Sequence, residues 1–172
     1  MKADREVVLT AIKHSGFAFA FVSDELRGDL EIVWTAIQSY NGAIEYASPE
    51  LLRDKEVIRN AIIEFGHFPL LRYAVPELRS DKSFVMEMVK LNGIQICGVR
   101  EHLNDKEILL EAVKNNGFAL YYAEDALKND PELVMEALKC NGFALQYSDA
   151  LFQARMEHGY FGAFFRKPNY NN

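Results

Sequence analysis

Six times along the chain an aspartate is followed by a glycine, twelve residues later in five cases and thirteen in one. The aspartates are Asp4, Asp29, Asp54, Asp81, Asp105 and Asp130, at spacings of 25, 25, 27, 24 and 25. The glycines are Gly16, Gly42, Gly66, Gly93, Gly117 and Gly142. A unit of this size cannot bury an apolar face by itself. Stacked neighbours can, so the period points to a solenoid with one continuous core.

Each unit has the grammar of a helix. The leading Asp is a strong N-cap, its carboxylate accepting from free N–H groups of the first turn. Glu stands at position 3 in five of the six units (Glu6, Glu31, Glu56, Glu107 and Glu132), at the positive end of the helix dipole. Positions 4, 5, 8 and 9 are apolar throughout, for example Leu133, Val134, Ala137 and Leu138, and these share one helical face. The helix is expected to stop at the Gly, four times as Asn-Gly, with a left-handed residue closing the last carbonyls. "FALYYA" then reads as a short second helix that sets Phe118, Leu120 and Tyr122 against the first. Segments such as "SPELLR" read as a last helical turn leading to the next Asp. The predicted fold is therefore all-α: an α-solenoid of six short helical repeats of about 25 residues. The array spans residues 1–153, and residues 154–172 form a C-terminal capping segment or tail.

The stretch from Asp105 to Asp130, "DKEILLEAVKNNGFALYYAEDALKND", carries the phrase D-x-E-x-[VL]-x-x-A-[VIL]-x-x-N-G-x-x-L-x-Y-A-x-x-x-L-x-x-D nearly throughout. It resembles the helical repeat family called domain of unknown function 4116, over roughly residues 4 to 153. That family's unit of about 50 residues corresponds to two of the units counted here. The resemblance implies a helical repeat protein with no established catalytic residues. With two cysteines that read as reduced thiols, the expected setting is cytoplasmic, or a host cell's cytoplasm if the source is one of the intracellular bacteria in which the family occurs.

Repeats make their own lapses visible. The third unit has two extra residues around "GHFPLLRYAV", and the fourth reads "GIQICGVREHLN", with Gly98 near the usual aromatic position. Residues 66–104 are therefore either a kink in the superhelix or a notch around His67, Cys97, Arg100 and His102, fit for a small ligand or an enzyme site. The outward positions 3, 7 and 10 are mostly charged in the last three units. Each Glu at position 7 there has a Lys three residues on. The first three units are less charged, with Ile63 outward and Trp34 and Arg59 on the flank. Trp and Arg are residue types that anchor interfaces, although Trp34 could equally be inter-repeat core. The residues expected to touch a partner are Trp34, Arg59, Ile63, His67, Arg100 and His102.

Composition narrows the function. With 49% hydrophobic and 26% charged residues the chain is globular rather than disordered. A net charge of −6 disfavours binding to nucleic acid phosphates. Lys13, Lys90, Lys114 and Lys139 align at position 10, but neighbouring Glu residues offset most of them. No apolar run approaches the length of a membrane span. Cys97 and Cys140 lack a CxxC pattern and read as reduced, buried or half-buried side chains. No HExxH, GxSxG, GxGxxG or Walker loop is present. The expectation is a non-catalytic scaffold for protein or peptide, with no metal and no cofactor. The first unit shows no polar cap, which permits end-to-end association. The aromatic and basic residues Tyr160, Phe161, Phe164, Phe165, Arg166 and Lys167 either cover the last unit or engage a partner.

Overall fold

The computed structural model of the chain describes residues 2–140, which take in five complete units and the first helix of the sixth. The rest of the sixth unit and the segment 154–172 lie outside the described residues. Each unit opens with an α-helix: α1 Lys2–His14, α2 Leu30–Ser39, α3 Lys55–Phe65, α4 Lys82–Leu91, α5 Lys106–Asn115 and α6 Pro131–Cys140. A 3-10 helix follows: Gly16–Phe21, Asn41–Tyr46, Leu70–Tyr73, Gly93–Gly98 and Gly117–Tyr122. A last short turn closes each unit, as at Pro49–Arg53, Pro76–Ser80 and Asp125–Lys128. Equivalent elements of successive units stack on one another. The result is a solenoid, with no strand among the described residues.

The apolar positions behave as expected. In the second and fifth units all four, Ile32, Val33, Ala36 and Ile37, then Ile108, Leu109, Ala112 and Val113, are buried. In the first unit positions 4 and 8, Val7 and Ala11, are exposed, because no described unit lies before them. Asp29, Asp54, Asp81, Asp105 and Asp130 each accept hydrogen bonds from the backbone N–H groups at positions 3 and 4. Asp4 departs from this: it sits inside the first turn of α1 rather than capping it. The other five are delivered by the preceding unit's closing turn, whose carbonyl takes the Asp N–H, as in Asp130 N–H to Leu127 O at 3.1 Å. Residues 2 and 3 are helical instead.

Asn-Gly does a different job from the left-handed C-cap expected of it. The residue before the 3-10 helix is extended, with φ −154° at Asn92 and −145° at Asn116, and none of the described glycines is left-handed. Asn92 Oδ1 and Asn116 Oδ1 accept from Ile94 N–H and Phe118 N–H, so these asparagines cap the 3-10 helices. The glycine after them is required by the neighbour. A Cβ on Gly93 would lie 2.2 Å from Ala112 O, and one on Gly117 would lie 2.7 Å from Ala137 O. Each is position 8 of the next unit, where a small Ala lets the two segments meet. Of the three residues expected to clip the 3-10 helix to its unit, Leu120 is buried, Tyr122 half-buried and Phe118 exposed. Ala119, one residue after Phe118, is buried instead, because the tighter 3-10 turn rotates the inward face.

The two extra residues of the third unit are absorbed by Gln95, a side chain with no solvent exposure. Its Oε1 accepts from Leu71 N–H at 3.0 Å, and its Nε2 donates to Phe68 O at 2.9 Å and Gly66 O at 3.2 Å. A buried amide thus satisfies backbone groups that the irregular "GHFPLL" segment leaves without helical partners. Gly98 replaces the usual aromatic because the Arg72 backbone passes there, 2.8 Å from where a Cβ would sit.

Candidate functional site

Position 2 of the unit proves to be the fastener between neighbours. Arg5 Nε lies 2.8 Å from Asp29 Oδ2, and its guanidinium also reaches Glu31. Lys55 meets Asp81 at 2.6 Å. Lys82 meets Asp105 and Glu107, both at 2.8 Å, and Lys106 meets Asp130 at 2.9 Å and Glu132 at 3.0 Å. In every case a cation at position 2 clasps the cap and, in three of them, the first-turn Glu of the next helix. The clasps leave electrostatic marks: Arg5 holds the Asp29 carboxyl below the usual aspartate range, and Lys55 does the same to Asp81.

The second unit breaks the series. Its position 2 is Leu30, and no ion pair reaches Asp54 among the described residues. The second device is missing too. The 3-10 helix of this unit starts at Asn41, so Asn41 occupies the place that Gly93 and Gly117 hold elsewhere, and Gly42 is one residue late. With neither the clasp nor the glycine contact, α2 and α3 meet far less closely than α1 and α2, α4 and α5, or α5 and α6; α3 and α4, which have the clasp but not the glycine contact, are also loosely packed.

The seam between α2 and α3 is an open groove of about 600 Å³. Leu30, Glu31, Trp34, Thr35 and Gln38 form one wall, and Val57, Asn60, Ile63, Glu64 and Phe65 the other. Trp34 packs edge-on against Phe65, with ring centroids 5.9 Å apart, and this contact closes the floor. Leu30 is 49% exposed and Ile63 is 57% exposed, one on each wall. The groove has an aromatic floor, the aliphatic side chains Leu30, Val57 and Ile63 on its walls, and polar residues between them.

Of the residues expected at a partner surface, the structure brings Trp34 and Ile63 together in this groove. Trp34 is half-buried there, so it is both inter-repeat packing and groove floor. Arg59 points to the other side of α3. It pairs with Glu56 at 3.4 Å and with Glu87 of α4, across the next seam. Glu87 is therefore taken by Arg59 instead of the Lys90 expected three residues on. The other two intrahelical pairs form, Glu111 with Lys114 at 2.8 Å and Glu136 with Lys139 at 2.5 Å.

Residues 66–104 do not gather their functional groups. His67 accepts from the Asn41 side-chain amide of the second unit, 3.1 Å away. His102 donates from Nε2 to Arg79 O at 2.9 Å. At other junctions a backbone N–H makes the corresponding link along this edge, as Val75 N–H does to Leu52 O and Glu124 N–H to Leu103 O. His102 thus stands in for a ladder bond. Arg100 is exposed. Cys97 is half-buried, and burial pushes its thiol above the usual range, which weakens it as a nucleophile. No hydrogen bond or ion pair links any two of His67, Cys97, Arg100 and His102. Cys140, expected to be buried or half-buried, is exposed, and its thiol donates back to Lys114 O at 3.1 Å. Among the described residues no cluster of three metal-ligating side chains occurs, and no helix is long and apolar enough to cross a membrane.

The model of the family described as domain of unknown function (DUF4116) matches the chain three times in tandem, at residues 4–52, 54–103 and 105–153. The chain belongs to this family. Each family unit is a pair of the units counted above. The open groove lies at the boundary between the first and second family units. The boundary at residues 103–105 is closed by the Lys82 clasp, so the opening comes from Leu30 and Asn41 rather than from the family's own period. No curated protein and no solved structure matches the chain.

Sequence reasoning found Trp34 and Ile63 but not Leu30 or Asp54. A signal was present: position 2 reads Arg, Leu, Lys, Lys, Lys, Pro along the six units.

Proposed function

We propose that this protein is a non-catalytic helical repeat scaffold whose α2/α3 groove holds an amphipathic segment of a protein partner. One observation carries the reading. At the seam that lacks both fasteners, exposed Leu30 near one end and exposed Ile63 towards the other flank an aromatic floor. Paired apolar walls around an aromatic anchor are how helix-binding grooves achieve affinity. Glu64 on the rim favours a partner with a basic flank. Lys114 and Lys139 are paired with carboxylates, which supports a protein ligand over nucleic acid.

The test is affinity capture from the source cell with the intact chain and with Ile63→Asp. Ile63 is exposed, so the substitution should leave the fold intact. Capture of the same proteins by both forms would argue against the groove.

A second reading is end-to-end association of copies. Its support is the exposure of Val7, at 68%, on the α1 face that preceding units cover elsewhere. Sedimentation that does not change with concentration would count against it.

A further inference from the structure

We infer that the segment bound in the α2/α3 groove carries a lysine or arginine at one end, and that this cation docks on Asp54. The inference rests on the groove reading above and names the chemistry of its ligand. Four junctions supply the template. At each, the cap of the following helix receives a cation from outside that helix: Arg5 on Asp29, Lys55 on Asp81, Lys82 on Asp105 and Lys106 on Asp130. Asp54 has the same backbone geometry, with Oδ1 accepting from Glu56 N–H at 2.8 Å and Val57 N–H at 3.3 Å. The chain places Leu30 where those cations begin, and Leu30 lines the groove's upper end beside Glu31. Val57, one turn beyond Asp54 on α3, also lines the groove, so Asp54 stands at its end.

Size and polarity of the ligand follow. Asp54 caps α3, and Ile63 lies nine residues further along it, about 13 Å at the helical rise. A helix that touches both needs about three turns. Its basic residue sits at the end near Asp54 and Glu56, and its apolar residues lie two to three turns on, over Trp34, Ile63 and Phe65. Glu56, exposed and paired within α3 to Arg59, holds the place that Glu107 and Glu132 hold at the clasped seams. The occupant is thus a basic-headed amphipathic helix of another protein.

Trp34 is the only tryptophan of the chain, so its fluorescence reports occupancy of the groove directly. The probe is a synthetic twelve-residue amphipathic helical peptide with Arg at its second position. A control peptide carries Glu there. Both are titrated against the full chain and against Asp54→Asn, which keeps the capping hydrogen bonds but removes the charge. The expected result is a Trp34 shift with the Arg peptide, and binding about fivefold weaker for either the Glu peptide or the Asp54→Asn protein. The loss should shrink as salt rises. Equal binding of both peptides to both proteins overturns the cation assignment and leaves the groove reading standing. No shift with either peptide overturns both. A Trp34 shift on raising protein concentration alone would identify a second copy as the occupant and overturn the proposal of a foreign helix.

Discussion

Lys106 Nζ lies 2.9 Å from Asp130 Oδ2, across the seam between the fifth and sixth units. In the first, third and fourth units the same place is held by Arg5, Lys55 and Lys82, each on the next unit's aspartate. Where Leu30 holds it, the seam stands open. That seam also lacks the glycine contact, so two missing devices coincide at the groove.

Leu30→Lys should close the groove. A lysine there would stand at the position from which Arg5, Lys55, Lys82 and Lys106 reach the next unit's aspartate. Exposed ion pairs are weak, so the gain in stability should be small, about 0–1 kcal/mol. Partner binding should fall sharply. Urea melts and a partner-binding assay on the same variant check the two effects.

Gly93→Ala should be costly, because the added Cβ would meet the Ala112 carbonyl at 2.2 Å, a backbone atom that cannot move aside alone. Overpacking of this kind costs about 1–3 kcal/mol. Gly28→Ala is the control: its nearest neighbour is Ser48 Oγ at 3.6 Å, so the effect should stay within about 0.5 kcal/mol. Equilibrium denaturation of both variants measures the difference.

Gln95→Leu tests the accommodation of the third unit's extra residues. Gly66 O would keep its bond from Asn92, at 2.6 Å, and Phe68 O its bond from Leu70 N–H, at 2.8 Å, but Leu71 N–H would lose its acceptor. One buried donor left without a partner should cost about 1–3 kcal/mol. Hydrogen exchange should show the loosening centred on residues 66–73.

Acid should release the clasps. The Asp29 and Asp81 carboxyls are held below their ordinary value of 3.8 by Arg5 and Lys55 respectively. A carboxyl with a lowered folded pKa contributes stability that is full above the unfolded value and is lost as pH falls through the folded one. Stability should therefore be level from neutral pH to about pH 5 and drop progressively below pH 4. The double variant Arg5→Gln, Lys55→Gln should flatten that drop. Urea melts across this range check it.

The repeat, its caps and its apolar positions were legible because they are local: a cap needs only the next three residues, and a helical face only the next few turns. The role of Gly93 and Gly117 was not legible as a neighbour contact, since Ala112 and Ala137 stand about twenty residues further on. A left-handed C-cap and a close inter-unit approach demand the same residue type, and only the stacked structure separates them. Arg59 and Trp34 both occupy position 6, yet one reaches Glu87 across the next seam and the other packs under Ile63's groove. A helical wheel places a residue on a flank without saying what that neighbour offers. His102 read as a functional polar group in an irregular segment, and Gln95 carried no signal in the sequence. They are backbone partners, because every lapse in a solenoid's period leaves amides and carbonyls that some side chain must meet.

The central claim, that the α2/α3 seam is where this protein meets its partner, is tested most directly by placing a photo-crosslinking residue at position 63 in the source cell. The same residue at position 107, beside the closed Lys82 clasp, is the control. The account predicts a discrete protein adduct from position 63, none from position 107, and loss of the adduct when Leu30→Lys is added. An adduct from position 107 alone, or one from position 63 that persists with Leu30→Lys, would contradict it.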